Sequence, residues 1–271
     1  MPLQSPKCLS EAACNVLNAA DPARKVDLSE IYAKDYAAGN LSEIGTCRPP
    51  DRPARPLRPE LGRPGDMKRR RFGTPEGRIA FIHAIAHIEL NAIDLAWDMV
   101  ARFTAVELPD AFYADWVGVA ADEARHFTLL ADYLQRGGAA YGDLPAHDGL
   151  WEAAAQTSDD ILARLALVPL VLEARGLDTT PAAIAKLTGA GDRDAAAILK
   201  TIAAEEIPHV AAGVRWFEYM CAARDLEPKS TYQRLVRARF KGALKPPFAT
   251  AARSAAGFDP AWYEPLAKPA D

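Results

Sequence analysis

Four long segments with apolar side chains at helical spacing dominate this sequence between residues 74 and 223. Apolar residues that recur every three or four positions lie on one face of an α-helix, and no run of convincing length alternates as a β-strand does. The helices are predicted at 75–103, 110–136, 151–175 and 192–223. Helices with one apolar face must pack against each other, so the chain is predicted to be all-α, with a four-helix bundle over residues 74–225.

Prolines and glycines predict where these helices begin and end. Thr74-Pro75 supplies a capping hydroxyl followed by a proline at the first helical position. Gly176 is predicted to end the third helix, and residues 181–187 are predicted to form a separate short helix. Pro208 lies inside the fourth helix, where its missing N–H group predicts a kink.

The regions on either side of the bundle differ from it in composition. Residues 9–38 contain helix-like stretches, whereas six prolines recur between residues 48 and 66, too many for a helix or an interior strand. That stretch is predicted to be an extended surface strap. The predicted organisation is an N-terminal helical segment with the strap (1–73), the bundle (74–225), and a short helix near 229–240 with a proline-rich tail (226–271).

Composition narrows the class of protein. The chain has 271 residues, of which 49% are hydrophobic, and a net charge of -4, as in a soluble protein with one sizeable core. Its longest apolar windows, such as 161–172, fall short of the ~20 residues that span a membrane. No export signal is recognised at the N-terminus, so a cytoplasmic location is expected. The cysteines have neither metal-type nor disulfide-type spacing and are expected to be reduced thiols: Cys8, Cys14, Cys47 and Cys221.

A short motif, Glu-x-x-His, occurs on two of the predicted helices. Glu123 and His126 form it on the second helix, and Glu206 and His209 form it on the fourth. Residues three apart on a helix share a face, so each pair can bind a common ligand. Bundles that hold two metal ions use two such motifs together with one glutamate from each of the other two helices.

Glu89 on the first helix and Glu173 on the third are the candidates for those two glutamates. Glu89 and Glu123 are 34 residues apart, and their midpoint falls in the turn between the first two helices. Glu173 and Glu206 are 33 apart, with a midpoint in the turn at 189–190. Residues equidistant from the turn of an antiparallel pair lie at the same height, so the spacing favours two matched halves.

The helical faces of these four glutamates are apolar. Four positions after each glutamate comes a large apolar residue: Ile93, Phe127, Leu177 and Val210. A buried carboxylate costs several kcal/mol or more without compensation, and two histidines cannot neutralise four acids, whereas two metal cations can. The pattern therefore predicts a dinuclear metal site, against the alternative of surface glutamates on differently rotated helices. The predicted ligands are Glu89, Glu123, His126, Glu173, Glu206 and His209.

Two acids and three other histidines have less specific roles. Because metal-bound histidines usually donate to a carboxylate, Asp122 is predicted to orient His209 and Glu205 to orient His126, with two solvated acids as the alternative. His83 and His87 share a helical face turned away from Glu89. A structural pair or a small secondary site is predicted for them. His147, in the loop after the second helix, could face a substrate. The acids and histidines concerned are Asp122, Glu205, His83, His87 and His147.

Four strings in the sequence resemble the DUF455 family, an uncharacterised group of ferritin-like proteins. They lie at 83–94, 122–127, 141–151 and 172–178, and the likeness extends from about residue 50 to 255. The resemblance implies a ferritin-like four-helix bundle with these metal ligands and no established reaction. The string Asp122-Glu-Ala-Arg-His126 is also similar to the second-helix motif of di-iron oxygenases, whereas Glu205-Glu-Ile-Pro-His209 departs from it through its proline.

A ligand set of carboxylates and imidazoles suits iron or manganese better than zinc or copper. The favoured function is a di-iron oxidoreductase that activates O2 to oxidise or hydroxylate an unknown substrate, with an electron donor. One alternative is a ferroxidase or peroxide scavenger without an organic substrate. The other is a tRNA-modifying di-iron hydroxylase, because basic residues concentrate in segments 51–72 and 229–245, where they could bind RNA phosphates or merely be solvated.

Overall fold

The computed structural model describes residues 5–63 and 72–268 of the chain. Within these ranges the regular structure is helical apart from two very short strands and an isolated bridge, which confirms the all-α prediction. The chain divides into two compact units, Met1–Trp151 (unit 1) and Glu152–Asp271 (unit 2). Residues 64–71, part of the basic segment noted at 51–72, lie outside the described residues.

Unit 1 is built around one long helical hairpin. Its elements are α1 (Leu9–Leu17), α2 (Pro22–Ala37), β1 (Leu61–Gly62), α3 (Pro75–Arg102), α4 (Asp110–Arg136) and β2 (Ala146–His147), while α5 (Gly149–Ala155) contains the boundary to unit 2. Helices α3 and α4 match the predicted bounds closely, and Thr74 Oγ1 accepts a hydrogen bond from Gly77 N at 3.1 Å, as expected of an N-cap. Gly137, directly after α4, packs against Ile79 near the start of α3, so the two helices are antiparallel.

Among the described residues, helix α3 combines great length with an apolar composition. It contains an 18-residue window that would be long and apolar enough to cross a membrane, although no window of that length was predicted from the sequence. In the structure 72% of that window is buried within the protein. The helix also carries buried acids with cationic partners, such as Asp98 bound to Arg102. These features identify α3 as a core helix.

The predicted strap is extended over its described part, residues 48–63. Main-chain groups of the strap are tied to the rest of unit 1: Ala54 N donates to Leu17 O at 2.8 Å, and Trp151 Nε1 donates to Asp51 O at 3.1 Å. Near its end β1 pairs in parallel with β2. These bonds satisfy backbone groups that a proline-rich segment cannot pair within itself.

A buried ionic network joins the N-terminal helices and the strap to α3. Asp94, on α3, binds both Lys25 from α2 and Arg55 from the strap, and it is fully buried. Lys25 Nζ also donates to Val16 O at 2.9 Å, and Arg55 Nη2 donates to Asn91 Oδ1 at 2.6 Å. Burial lowers the pKa of Lys25, and the neighbouring Asp94 carboxylate opposes that shift.

The expectation of four reduced cysteines is wrong for one pair. Cys14 on α1 and Cys47 before the strap form a disulfide, with their Cα atoms 6.7 Å apart, while Cys8 and Cys221 are free and buried. The 33-residue separation gave no signal of this pairing. The chain after α2 returns to α1 through hydrogen bonds from Leu9 N to Glu43 O and from Ser10 N to Ile44 O, and that return brings the two thiols together.

Unit 2 contains a second antiparallel pair of long elements. Its elements are α6 (Ile161–Leu167), a π-helical segment (Val168–Glu173), α7 (Ala174–Gly189), α8 (Arg193–Ala223), α9 (Pro228–Arg239), α10 (Thr250–Ala255), α11 (Pro260–Tyr263) and a 3₁₀ turn (Glu264–Leu266). Gly213 on α8 lies directly against Pro169 and Leu170 of the π-helical segment. This contact sets the register of the pair, with the turn at 190–192.

The third predicted helix, 151–175, is corrected by the structure. It is interrupted at 156–160, where Asp160 caps α6, and it widens into the π-helical segment. It then continues through Gly176 and Pro181 to Gly189, so residues 181–187 are not a separate helix. Gly176 lacks the left-handed backbone of a helix-ending glycine, whereas Gly191, just after α7, has φ of 79°.

Two prolines inside helical stretches have different consequences. Pro169 has no N–H with which to bond the carbonyl four residues earlier, and the chain around it adopts the wider π-helical turn. Pro208 was predicted to kink the fourth helix; α8 continues through it from Arg193 to Ala223, and the kink itself stays a prediction.

Removing the charge of Asp94 should destabilise unit 1 strongly. In Asp94→Asn, Lys25 and Arg55 lose their shared carboxylate in a buried position, and breaking a buried pair in this way costs about 3–5 kcal/mol. Urea unfolding followed by circular dichroism measures this loss as a lower midpoint. Asp27→Asn, an exposed change on α2, is the matched control. Equal midpoints for the two variants would contradict a structural role for the network.

Adding a methyl group at Gly213 should destabilise unit 2. A Cβ there would overlap Pro169, and overpacking of this kind costs about 1–3 kcal/mol. Gly176→Ala is the control on α7, because nothing lies within 4 Å of its added Cβ, and a helical Gly→Ala change there should stabilise by about 0.5–1 kcal/mol. Thermal unfolding of both variants should therefore move in opposite directions. A Gly213→Ala protein as stable as Gly176→Ala would refute the close approach.

Candidate metal centre

Three predicted metal ligands meet in the interior of unit 1. Glu89 extends from α3, and Glu123 and His126 extend from α4. His126 Nδ1 lies 3.4 Å from Glu123 Oε2 and 3.6 Å from Glu89 Oε2, and the potential ligand atoms of the three residues lie within 4.8 Å of one another. All three are at most 5% exposed. We call Glu89, Glu123 and His126 the unit 1 ligand group.

The helical hairpin explains why these residues meet. In an antiparallel pair, residues equidistant from the turn are neighbours, and Glu89 and Glu123 stand equally far from the turn at 103–109. The residues four positions later, Ile93 and Phe127, are buried as predicted. The prediction that Glu89 and Glu123 lie on the buried faces of α3 and α4 is therefore confirmed.

The electrostatics of the unit 1 ligand group are dominated by its two carboxylates. Burial by itself disfavours protonation of His126, but the adjacent carboxylates of Glu123 and Glu89 outweigh that effect and raise the pKa of His126 to about 11. This raised pKa favours the protonated imidazole, whose positive charge offsets part of the negative charge of the two carboxylates. Carboxylate oxygens and an imidazole nitrogen at these separations could hold a metal ion.

The second Glu-x-x-His motif has nearly the same local geometry in unit 2. His209 Nδ1 lies 3.6 Å from Glu206 Oε2, and these residues on α8 are 2% and 7% exposed. Pro208 stands between them on the exposed side of α8, whereas both motif residues are buried, and the helix continues through it. The departure from the motif at Pro208 thus leaves the Glu206–His209 contact in place.

Glu173 differs from the other three predicted glutamate ligands. It is the last residue of the π-helical segment and is half-buried, whereas Glu89, Glu123 and Glu206 are buried. Pro169 and Gly213 lie opposite each other in the antiparallel pair. Glu173 follows Pro169 by four residues, and His209 precedes Gly213 by four residues. Within unit 2, Glu173 and His209 are therefore level along the helical pair.

The histidines on the other face of α3 form a structural cluster. His87 Nδ1 lies 2.8 Å from Tyr141 Oη, its Nε2 lies 3.0 Å from His147 O, and His83 Nε2 accepts a hydrogen bond from Gly142 N at 2.9 Å. Burial lowers the pKa of His87 to about 4, so this histidine is neutral near pH 7. The prediction of a structural pair agrees with these contacts. The role of Tyr141 was missed, although it lies in the string at 141–151.

The two acids assigned to orient the ligand histidines occupy less buried positions. Asp122 pairs with Arg125 one turn away on its own helix at 2.6 Å, and both side chains are partly exposed. Glu205 is half-buried on α8. Their predicted roles toward His126 and His209 remain predictions.

Comparison with known proteins supports the resemblance seen in the sequence. The family model described as a protein of unknown function (DUF455) matches residues 18–264. A protein of Haemophilus influenzae (strain ATCC 51907 / DSM 11121 / KW20 / Rd), described as an uncharacterized protein, is 39% identical over 259 residues, which cover 92% of this chain and 88% of the relative. No solved structure matches the chain significantly. With its matched residues extending over both units, the chain belongs to the DUF455 family.

Proposed function

We propose that this protein is a dinuclear metalloprotein, with iron favoured over manganese, that activates O2 to oxidise or hydroxylate a substrate. The observation that carries the proposal is the unit 1 ligand group, in which two carboxylates and an imidazole converge in an apolar interior. Burial of such a group is costly unless a cation compensates it. The second set of ligands, Glu173, Glu206 and His209, is taken from the repeat of the motif in the sequence and from its geometry in unit 2.

The side chains of unit 1 have two roles at such a centre: some bind the metal ions and others exclude water. Glu89 and Glu123 supply oxygen ligands from facing helices, and His126 supplies a nitrogen ligand one turn from Glu123. Paired iron ions in a site of this kind would supply the electrons for O2 activation. Around the ligands, Ile93 and Phe127 keep water away, which strengthens electrostatic interactions inside the site.

Loss of one glutamate from either motif should lower the metal content. The wild-type protein is expected to hold about two iron ions per chain, and Glu123→Ala or Glu206→Ala should hold at most about one, because each change removes a carboxylate ligand. Metal analysis together with the absorption spectrum measures this. Asp132→Ala on α4 and Glu218→Ala on α8, both exposed, are matched controls.

The possible outcomes of that experiment separate the alternatives. Unchanged metal content in both variants would refute the metal centre. A loss in Glu123→Ala alone would restrict the site to the unit 1 ligand group. Uptake of far more than about two iron ions per chain, with O2 consumed by ferrous iron alone, would replace oxygenation by iron handling. O2 uptake that requires both a reductant and an added small molecule would support the oxygenase.

A second candidate, an RNA-modifying hydroxylase, is favoured by one surface of unit 2. Helix α9 buries Tyr232 and Leu235 on one face and exposes Lys229, Arg234 and Arg237 on the other. Arg239 is already bound to Asp159 at 2.9 Å. Three exposed cations on one helix could contact successive phosphates of an RNA strand.

This second candidate predicts RNA binding that depends on salt. The double variant Arg234→Gln, Arg237→Gln should weaken binding of a transfer RNA. It should also reduce the slope of log affinity against log salt concentration by about two, because each arginine that contacts a phosphate releases about one counterion from the RNA. Filter binding at several salt concentrations measures the slope. The control is Lys186→Gln, a change on α7 outside this surface. Equal slopes for wild type and the double variant would exclude this surface as the RNA site.

A further inference from the structure

The π-helical segment that ends in Glu173 receives hydrogen bonds from two side chains far away in the sequence. Tyr232 on α9 donates from its hydroxyl to Leu170 O at 3.3 Å. Arg253 on α10 donates from Nη2 to Ala174 O at 3.2 Å. Leu170 lies three residues before Glu173, and Ala174 directly follows it, so the two bonds flank this glutamate along the main chain.

The π-helical geometry explains why Leu170 O is available to a side chain. In an α-helix the N–H group of Ala174 would bond to the carbonyl four residues earlier, which is that of Leu170. Here the Ala174 N–H is directed to Pro169 O and Val171 O instead. Leu170 O is therefore released from its α-helical donor, and the hydroxyl of Tyr232 takes that position. The bond is thus made to a carbonyl of the widened turn.

Arg253 is itself held rigidly. Its Nε and Nη2 donate to Asp178 Oδ1 and Oδ2 at 2.9 and 2.7 Å, a two-point contact with a residue one turn after Ala174. Its guanidinium carbon lies 4.4 Å from the ring centre of Tyr263 and 5.1 Å from that of Phe248. Arg253 is 1% exposed. A planar guanidinium fixed in this way has little freedom, so it constrains the main chain that it binds.

We propose that Tyr232 and Arg253 are positioning residues for Glu173: they hold the π-helical turn so that its carboxylate is oriented for metal binding. This inference rests on the proposed function. Ligand carboxylates and histidines in metal sites depend on outer partners that set their orientation. The partners here bind the main chain of the ligand-bearing turn instead of the ligand side chain. They come from α9 and α10, which carry none of the predicted metal ligands.

The test is ferrous iron binding by the full-length protein under anaerobic conditions, measured by competition with a chromogenic chelator. Tyr232→Phe keeps the ring and removes only the hydroxyl, so it should fold and should weaken the more labile of the two ions about tenfold. Arg253→Lys loses the two-point contact and should weaken it by about 10–100-fold. Tyr219→Phe is the matched control, because Tyr219 is exposed on α8 and its ring contacts Trp216, outside the groups that hold the π-helical segment.

A double-mutant cycle separates positioning from general support of the fold. In a Glu173→Ala background, Tyr232→Phe should leave iron affinity unchanged, because the ligand that it positions is gone. A purely structural role would instead lower iron affinity and thermal stability by the same amounts in both backgrounds, and that result would overturn the inference. Wild-type iron affinity in Tyr232→Phe and Arg253→Lys would also overturn it. Absence of iron binding by the wild-type protein would refute the proposed function itself.

Discussion

Burial of two carboxylates beside one imidazole is the constraint on which unit 1 depends. Glu89 and Glu123 come from different helices, and both face His126 in a region lined by apolar side chains. Two acids in such a place are stable only with positive charge close by, supplied by the protonated His126 in the absence of metal or by a metal ion in its presence. The register of α3 against α4 must be accurate because a shift of one turn would separate these charges.

Buried acids elsewhere in the chain are likewise paired with cations, and these pairs connect distant segments to the helices that carry candidate ligands. Asp94 lies on α3, five residues after Glu89, and it draws Lys25 and Arg55 from the N-terminal segment and the strap. Asp178 lies on α7, five residues after Glu173, and it binds Arg253. In each unit, segments outside the long helices thus fix the element that bears a glutamate. These segments orient the main chain of the ligand-bearing helices, since the side chains of Lys25, Arg55 and Arg253 are engaged in ion pairs with Asp94 and Asp178.

Irregular backbone in unit 2 coincides with a candidate ligand. Pro169 cannot complete an α-helical bond, the chain widens into a π-helical turn, and Glu173 ends that turn. Gly213 permits the facing helix to approach Pro169 closely, which a larger residue would prevent. A widened turn of this kind releases carbonyl groups, and the structure uses one of them to bind Tyr232. The irregular main chain is therefore held by contacts from elsewhere in the same unit.

Periodicity and spacing in the sequence determined the helical class, the bounds of α3, α4 and α8, and the inward faces of Glu89, Glu123 and Glu206, because each of these follows from residues close together in the chain. Tertiary structure alone decided the Cys14–Cys47 pair, the partners of Asp94 and Asp178, and the hydrogen bonds from Tyr232 and Arg253. Such contacts join residues tens of positions apart and leave no periodic signal. The continuation of α7 through Gly176 and Pro181 was likewise decided by packing, which overrode local propensities that favour a helix end.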